Sequence, residues 1–460
     1  MPVIVARSPK PVNRFRASGM IVIILAGMVC LSGMTTLSRA QDAQDAAASR
    51  QLLPELRLSM HDAMQAAVDN NPTVQIFKER VAQAQEQAFT QRGALLPNLS
   101  ARVSGARRRF FLGAFAQRAG VSPPIDFYES RVALTQNIFS LSLIQKWRAA
   151  RTNIEVAGLD SETQKMDTMA MVALAYLDTL RVQKSVKARL AGVKLNKELL
   201  RLAMQRKSVG MATKLDVTRA KVQLENEKQR LLVARNDFGS AKLNLSRGIG
   251  LSFDVKLILT DELKLVPVSP QTVDEALQIA REHRVELKAQ KKRERLAALT
   301  LSSVVMERVP SLAGSGDVGL IGNQPSKALT TDNVQVLLSI PLFDGGQREG
   351  RISEQRSLVR MESLKTRDVA KQIGLEVRDA LLTMESTQQQ VAVAKEGLRL
   401  TFQELRLARR RFAVGLATNI EVTDAQTRVA QARDNLIEAL FNFNASRVNL
   451  ARAQGRLEAL

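Results

Sequence analysis

Val209-Gly210-Met211-Ala212-Thr213-Lys214-Leu215-Asp216-Val217-Thr218-Arg219-Ala220 is written a second time, as Val414-Gly415-Leu416-Ala417-Thr418-Asn419-Ile420-Glu421-Val422-Thr423-Asp424-Ala425. Upstream of each copy lies a second matching block, Leu134-Thr135-Gln136-Asn137-Ile138-Phe139 against Leu338-Ser339-Ile340-Pro341-Leu342-Phe343. Farther upstream, His61-Asp62-Ala63-Met64 corresponds to Asp274-Glu275-Ala276-Leu277. Three blocks recurring in one order mark a duplication, and a duplication decides the architecture before any single element does.

Each copy has one plan. A helix over 59–92 ends at Leu96-Pro97-Asn98, two strand-like segments follow, and a helix runs over 147–208, which at 1.5 Å per residue is roughly 95 Å long. Gly210 supports the left-handed conformation that ends a helix, and a return helix spans 216–247. In the second copy the parts fall at 273–306, 312–321, 333–343, 349–413 and 421–457. Helices of this length cannot bury themselves in a small globule and must lie against one another. The return helices show how. Val217, Leu224, Leu231, Phe238 and Leu245 stand seven apart, with Ala220, Ala234 and Ala241 interleaved. Val422, Val429, Leu436, Phe443 and Leu450 repeat the row, with Ala425, Ala432, Ala439 and Ala453. This is a coiled-coil seam with a bulky and a small row, interrupted by Glu227 and Ser446. The long helix of the second copy carries two seams, Leu398, Phe402, Leu405 and Phe412, and Leu400, Leu407 and Val414, as a stave with a neighbour on each side requires.

Between the helices, Val334, Val336, Leu338, Ile340 and Leu342 alternate with Asn333, Gln335 and Ser339. Val132, Leu134 and Ile138 alternate with Arg131, Thr135 and Asn137, and Leu99, Ala101 and Val103 with Ser100, Arg102 and Ser104. The Gly-rich stretch 312–321, with Asp317, is the weakest of the four. A membrane β-strand needs about 9–11 residues, apolar toward lipid and polar toward a lumen. Backbone groups in lipid must all be paired, so an open sheet edge is forbidden there. Four strands are too few for a closed barrel, which needs about eight. A membrane barrel made from this chain is therefore shared between copies, and three copies give twelve strands.

The N-terminus reads as an export signal over 1–40: basic Arg7, Lys10, Arg14 and Arg16, a short apolar run from Met20 to Leu31, and Ser38-Arg39-Ala40 as the cleavage site. Cys30, the only cysteine, leaves with it; Val29 before it argues against lipidation. The formal charge of +22 falls to about +17 without the signal. Aromatics make up 4% of the chain, and Lys and Arg are interleaved with acids along helices, a solvated face rather than a nucleic-acid footprint. His61 and His283 have no nucleophile or ligand cluster around them, and no phosphate loop, dinucleotide fingerprint or metal spacing occurs. Neither enzyme activity, cofactor nor metal is expected. The resulting organisation is 1–40 signal, 41–247 first repeat, 248–270 connecting segment and 271–460 second repeat. A periplasmic adaptor and a basic coiled-coil scaffold without a barrel are the competing readings; an adaptor would show one hairpin in a β-rich chain.

The ordered set of motifs resembles the TolC-type outer-membrane efflux proteins (outer membrane factors). It is carried by the two turn motifs at 209–213 and 414–418, by Leu58-Ser59-Met60-His61-Asp62-Ala63 before Asn70-Asn71-Pro72, and by Pro341-Leu342-Phe343-Asp344-Gly345-Gly346. The resemblance implies a mainly α fold with a membrane β-barrel: a homotrimer with a 12-stranded barrel in the outer membrane and an α-barrel in the periplasm. It implies passive export, with a periplasmic adaptor and an inner-membrane pump of RND or ABC type as partners in efflux or type I secretion, and outer-membrane lipid around the barrel. Val209, Gly210, Met211, Ala212 and Thr213, with Val414, Gly415, Leu416, Ala417 and Thr418, would form the adaptor-contacting tips. Glu421 and Asp424, with Asp216, would form acidic rings at the periplasmic gate. The alternative for all three is a helix start, where acids complement the dipole. Ala417 stands where the family's best-known gate has a basic latch, so that latch is absent or built differently.

Overall fold

In the computed structural model, residues 55–111, 120–266 and 271–459 are described; the signal at 1–40 lies outside them. The order is β1 (Glu55–Leu58), α1 (Met60–Asn70), α2 (Pro72–Gly93), β2 (Asn98–Arg108), β3 (Ile125–Phe139), α3 (Leu141–Ser208), α4 (Lys214–Ile249), β4 (Lys256–Leu259), α5 (Val273–His283), α6 (Val285–Val305), β5 (Ser311–Gly322), β6 (Leu329–Ser339), α7 (Gln347–Ala413) and α8 (Asn419–Gln454). The fold is mainly α, with four strands in one sheet ordered β2-β3-β5-β6, all antiparallel.

The 68-residue α3 is about 100 Å long. It packs on α4 and α8 at its far end and on α2 and α6 nearer the sheet, while α7 packs on α8 and α6. Four staves result: α2 with α4, α3, α6 with α8, and α7. The first and third are each spliced from two helices, and the splices are alike. The end of α4 abuts the α1–α2 break, where the Asn71 side chain donates to the Gly248 carbonyl at 2.6 Å. The end of α8 abuts the α5–α6 break, where buried Arg284 donates to the Ala453 carbonyl at 3.3 Å and to Glu376 at 2.7 Å. Gly250 and Gly455 end α4 and α8 at φ of 85° and 71°, a conformation and closeness that exclude a side chain. A Cβ on Gly250 would lie 2.5 Å from the Asn70 carbonyl oxygen, and one on Gly455 3.0 Å from the backbone of His283.

These splices correct the expectation of continuous helices over 59–92 and 273–306. The first breaks because Pro72 disfavours a helical Asn71, whose side chain then caps α2 through the Thr73 N–H at 2.8 Å. The second breaks without proline, Arg284 being held extended by Glu286, Glu376 and the Ala453 carbonyl. The last strand also differs, forming over 329–339 rather than 333–343, with 340–343 beyond it. The weak stretch is a full strand, β5. Its glycines are steric necessities, since a Cβ at Gly319 would stand 2.5 Å from the Cγ of Arg131 and one at Gly322 2.8 Å from the Cα of Ala328.

The return-helix seams pack as their spacing predicts, whereas of the two rows on the long helix α7 only Leu405 is buried and Leu400, Leu407 and Val414 stay exposed. Val422, Ala425, Val429, Ala432, Ala439, Phe443, Leu450 and Ala453 are buried, as are Leu224, Leu231, Ala234, Ala241 and Leu245. One element escaped the sequence reading: β1 pairs in parallel with β4 beside the core around Tyr176. That buried phenol donates to the Leu58 carbonyl at 2.9 Å, and burial raises its pKa to about 12, so it stays a neutral donor.

Candidate functional site: an amphipathic sheet and paired hairpin tips

Strand register sorts the sheet into two faces. Leu99, Ala101 and Val103 on β2 stand opposite Leu134, Val132 and Ser130 on β3, which in turn face Gly316, Val318 and Leu320 on β5. Val334, Val336 and Leu338 on β6 complete this face, and Leu99, Val103, Val132, Leu134, Val318, Leu320, Val334, Val336 and Leu338 are all exposed. The other face carries Ser100, Arg102, Glu129, Arg131, Ser315, Asp317, Asn333 and Gln335. There Arg131 donates to Glu129 and Asp317, each at 2.6 Å, and to Thr331 at 2.8 Å, tying three strands in register. β2 and β6 are bare edges. Among the described residues no helix is long and apolar enough to cross a membrane. An exposed apolar sheet face backed by a polar one is what a barrel wall presents to lipid and to a lumen.

At the opposite end the two hairpin turns are built alike. Gly210 and Gly415 adopt φ of 78° and 81°. Met211 N–H returns to the Arg206 carbonyl at 2.8 Å and Leu416 N–H to that of Arg411 at 2.9 Å, closing the long helices with paired C-terminal motifs. Thr213 and Thr418 then cap the return helices, each in a capping box, with Asp216 and Glu421 as the reciprocal acids. The Asp216 carboxylate accepts from the Thr213 N–H at 3.0 Å and hydroxyl at 2.7 Å. These hydrogen bonds, with smaller help from Arg219 and Arg206, hold its pKa below the usual value. Glu421 accepts from the Thr418 N–H at 3.3 Å and lies 3.6 Å from Arg411. Asp424, one turn on, is exposed. The first copy has Arg219 at the matching position, so the second hairpin alone places two acids in that turn.

Around the turns, Val209, Met211, Leu215, Val414, Leu416 and Ile420 are between 51% and 72% exposed, at matching positions in the two copies. Ala212 and Ala417 are half-buried beside them. Leu215 and Ile420 escaped the sequence reading, although the duplication pairs them as it pairs Met211 with Leu416. Two cross-hairpin ties were also unforeseen. Arg206 donates to the Phe412 carbonyl at 2.6 Å with its guanidinium 4.2 Å from that ring's centroid. Higher up, Arg189 of α3 donates to Asp434 of α8 at 2.5 Å and lies 3.8 Å from Glu227 of α4. Glu227, the interruption in the small row, is buried because Gly192 opposite leaves room. His61 and His283 face no cluster, and among the described residues no group of three or more His, Cys, Asp or Glu is placed to hold a metal.

A long four-stave bundle with capped turns at one end and an amphipathic, open-edged sheet at the other is a membrane-duct protomer with an extension outside the membrane. The family described as "Outer membrane efflux protein" matches residues 63–251 and 276–456, one segment for each copy of the duplication, and the chain belongs to it. It is 23% identical over 451 residues to "Outer membrane protein TolC" of Escherichia coli K12, covering 94% of this chain and 86% of that one. To "Probable efflux pump outer membrane protein TtgC" of Pseudomonas putida it is 24% identical, covering 86% and 83%. To "Alkaline protease secretion protein AprF" of Pseudomonas aeruginosa it is 19% identical, covering 84% and 82%. Among solved structures, the open-state MtrE outer membrane channel of Neisseria gonorrhoeae superposes with a TM-score of 0.73 at 16% identity, covering 86% and 89%. A membrane protein from Pseudomonas aeruginosa gives 0.76 at 20%, covering 86% and 93%. The protein is an outer-membrane exit duct with a periplasmic extension, one of a family of transport channels.

Proposed function

We propose that three copies of the chain close a twelve-stranded barrel and a continuous helical tube, through which substrates leave the periplasm passively. The observation that carries this is the open sheet: four strands with bare edges at β2 and β6 and an apolar face that only lipid suits. Unpaired backbone groups at those edges cannot persist in hydrocarbon. Pairing β6 of one copy with β2 of the next removes every edge. The helices make the same demand, because Leu375, Leu382, Val393, Leu400 and Leu407 on α7 and Val222, Leu232 and Leu243 on α4 are exposed on the outermost staves. Facing them across the junction between copies buries both rows. Native mass spectrometry of the particle purified from outer membranes should give three chains; a monomer or a four-chain particle contradicts the proposal.

The tips face the periplasm, and their six exposed apolar side chains form the surface for an adaptor that links the duct to an energised inner-membrane pump. Relatives are named for toluene efflux and for alkaline protease secretion, and the same duct serves either kind of pump. For the gate, the hydrogen bonds favour a division of labour. Asp216 and Glu421 start helices, and Asp424 stands one turn into α8 with no acidic counterpart in the first hairpin. Three copies of Asp424 around a narrow entrance would focus a negative field, with Glu421 adding what Arg411 leaves uncompensated. The ties Arg206–Phe412 and Arg189–Asp434 hold the two hairpins of one chain side by side, in place of a latch at Ala417.

A further inference from the structure

We infer that Arg107 and Arg109, at the end of β2 far from the helices, form a binding site for a phosphorylated glycolipid headgroup of the outer leaflet. The inference rests on the placement of this sheet in the outer membrane and goes beyond the duct reading. Helix α2 enters the sheet at Asn98 and α3 leaves it after Phe139, so the Arg108–Ile125 end of the β2–β3 hairpin is the end opposite the periplasmic staves. Register then fixes depth. On the lipid face β2 runs Leu99, Ala101, Val103, Gly105, Arg107, and β3 runs Leu134, Val132, Ser130, Tyr128, Asp126. From Leu99 to Arg107 the strand rises about 26 Å, or about 20 Å along the membrane normal at the usual tilt, close to the height of the apolar band of such barrels. Tyr128, lying 3.6 Å from where a Cβ on Gly105 would stand, is the interfacial aromatic one step below Arg107. By register Asp126 and Arg107 pair with each other at the top of β2 and β3, whereas Asp332 on β6 stands on the ladder of Val132 and Ala101, three lipid-face positions lower.

Charge at this level is unbalanced toward the positive. Arg107, Arg108 and Arg109 are consecutive and exposed. Arg107 meets a carboxylate only at a distance, lying 3.6 Å from Asp126 with its own side chain 70% exposed. An ion pair that long and that wet contributes little, so the guanidinium is available. Arg108 falls on the opposite, polar face by register, whereas Arg109 is the exposed residue just past the end of the strand, two positions on from Arg107. The backbone there is fixed rather than loose: Ser122 N–H donates to the Phe110 carbonyl at 2.8 Å, Phe110 N–H donates to the Ser122 hydroxyl at 2.8 Å, and Phe110 and Phe127 meet edge to face at 6.1 Å. Arg107 at headgroup depth on the lipid face, with Arg109 two residues on along the same braced hairpin, matches phosphate in charge and in forked donor geometry.

The test is lipid retention by the intact duct. Wild-type protein and the R107Q/R109Q and R108Q variants are purified from outer membranes, exchanged with bis-phosphorylated or dephosphorylated lipid A in detergent, washed, and weighed by native mass spectrometry. Wild type and R108Q should retain the phosphorylated lipid at least tenfold better than the dephosphorylated one, and R107Q/R109Q should lose that preference while keeping its oligomeric mass. Equal retention of the two lipids by wild type, or an undiminished preference in R107Q/R109Q, overturns the inference. A duct that fractionates with outer membranes yet shows no phosphate preference sinks this site alone; absence from outer membranes sinks the duct reading itself.

Discussion

Gly192 and Glu227 should behave as one unit, and substituting them singly and together tests the packing of α3 on α4 within the first hairpin. A Cβ on Gly192 would stand 2.5 Å from Glu227 Oε1 and 3.0 Å from its Cδ, so Gly192→Ala drives the carboxylate from its slot and away from Arg189. Ejecting one partner of a buried ion pair costs about 3–5 kcal/mol, reduced here because Arg230 lies 3.6 Å from the other carboxylate oxygen. Alanine over glycine in a helix interior returns about 1 kcal/mol. In wild type the substitution should therefore destabilise the α3–α4 contact by roughly 2–3 kcal/mol. In a Glu227→Ala background the obstacle is gone and the row of Ala220, Ala234 and Ala241 is continued. There Gly192→Ala should be stabilising by about 1 kcal/mol. The coupling of roughly 3 kcal/mol is more than a hundredfold in the opening equilibrium. Hydrogen exchange of the amides over 224–231 in the purified duct reads it as a local opening free energy, which suits a protein whose global unfolding need not be reversible. If Gly192→Ala slows or accelerates exchange equally in both backgrounds, the steric and ionic coupling assigned to this pair is wrong.

Four further outcomes are expected. Gly210→Ala and Gly415→Ala meet no atom but force alanine into a left-handed conformation, costing about 1–2 kcal/mol each, visible as faster protease cleavage at the tips. In planar bilayers, Asp424→Ala should weaken block by multivalent cations from the periplasmic side more than Asp216→Ala, and Glu421→Ala/Asp424→Ala should do so most; unchanged block in the double variant removes both residues from the gate. Acid should loosen the helix starts: hydrogen bonds from Ser59, Thr213 and Thr272 lower the pKa values of Asp62, Asp216 and Glu275. Groups so depressed stabilise the fold above their unfolded pKa of about 4 and lose that contribution as pH falls through their folded values, so exchange at these three N-termini should rise in acid. Val103→Arg, on the lipid face at the middle of β2, should cost about 2–4 kcal/mol per chain in a membrane barrel and lower the yield of assembled particle, whereas Ser104→Arg on the polar face should not.

The features legible in the sequence were those fixed by periodicity or by a residue with one conformational meaning. Gly210 and Gly415 announced the turns, the seven-residue rows announced the hairpin seams, and the alternation around Ala101, Val132 and Val334 announced three strands. β5 was hard to read because its glycines answer to neighbours distant in sequence, Arg131 and Ala328, rather than to strand propensity. The break at Arg284 carried no local sign, since no proline follows and the extended backbone is held by Glu376 and by a carbonyl at the end of α8. Glu227 looked like a flaw in the small row until Gly192 and Arg189 were seen opposite it. At the tips the sequence could not separate gate from cap, because Asp216 and Glu421 are suited to both; the hydrogen bonds to Thr213 and Thr418 supply the capping role, and Asp424 is left as the acid without one.

The shared barrel is tested most directly by cysteine pairs placed on the two bare edges. Within one chain β2 and β6 are separated by two strands, about 14 Å at the usual spacing, too far for a disulfide, which needs Cα atoms within about 7 Å. Cys30 is the only native cysteine, so a panel joining Ser100→Cys or Ser104→Cys with Thr331→Cys or Gln335→Cys reports on that junction alone. At least one pair should oxidise to a ladder ending at three covalently linked chains, with neither parent single variant doing so. An intrachain bridge, or a ladder ending at two or continuing past three, would contradict a barrel closed by three copies.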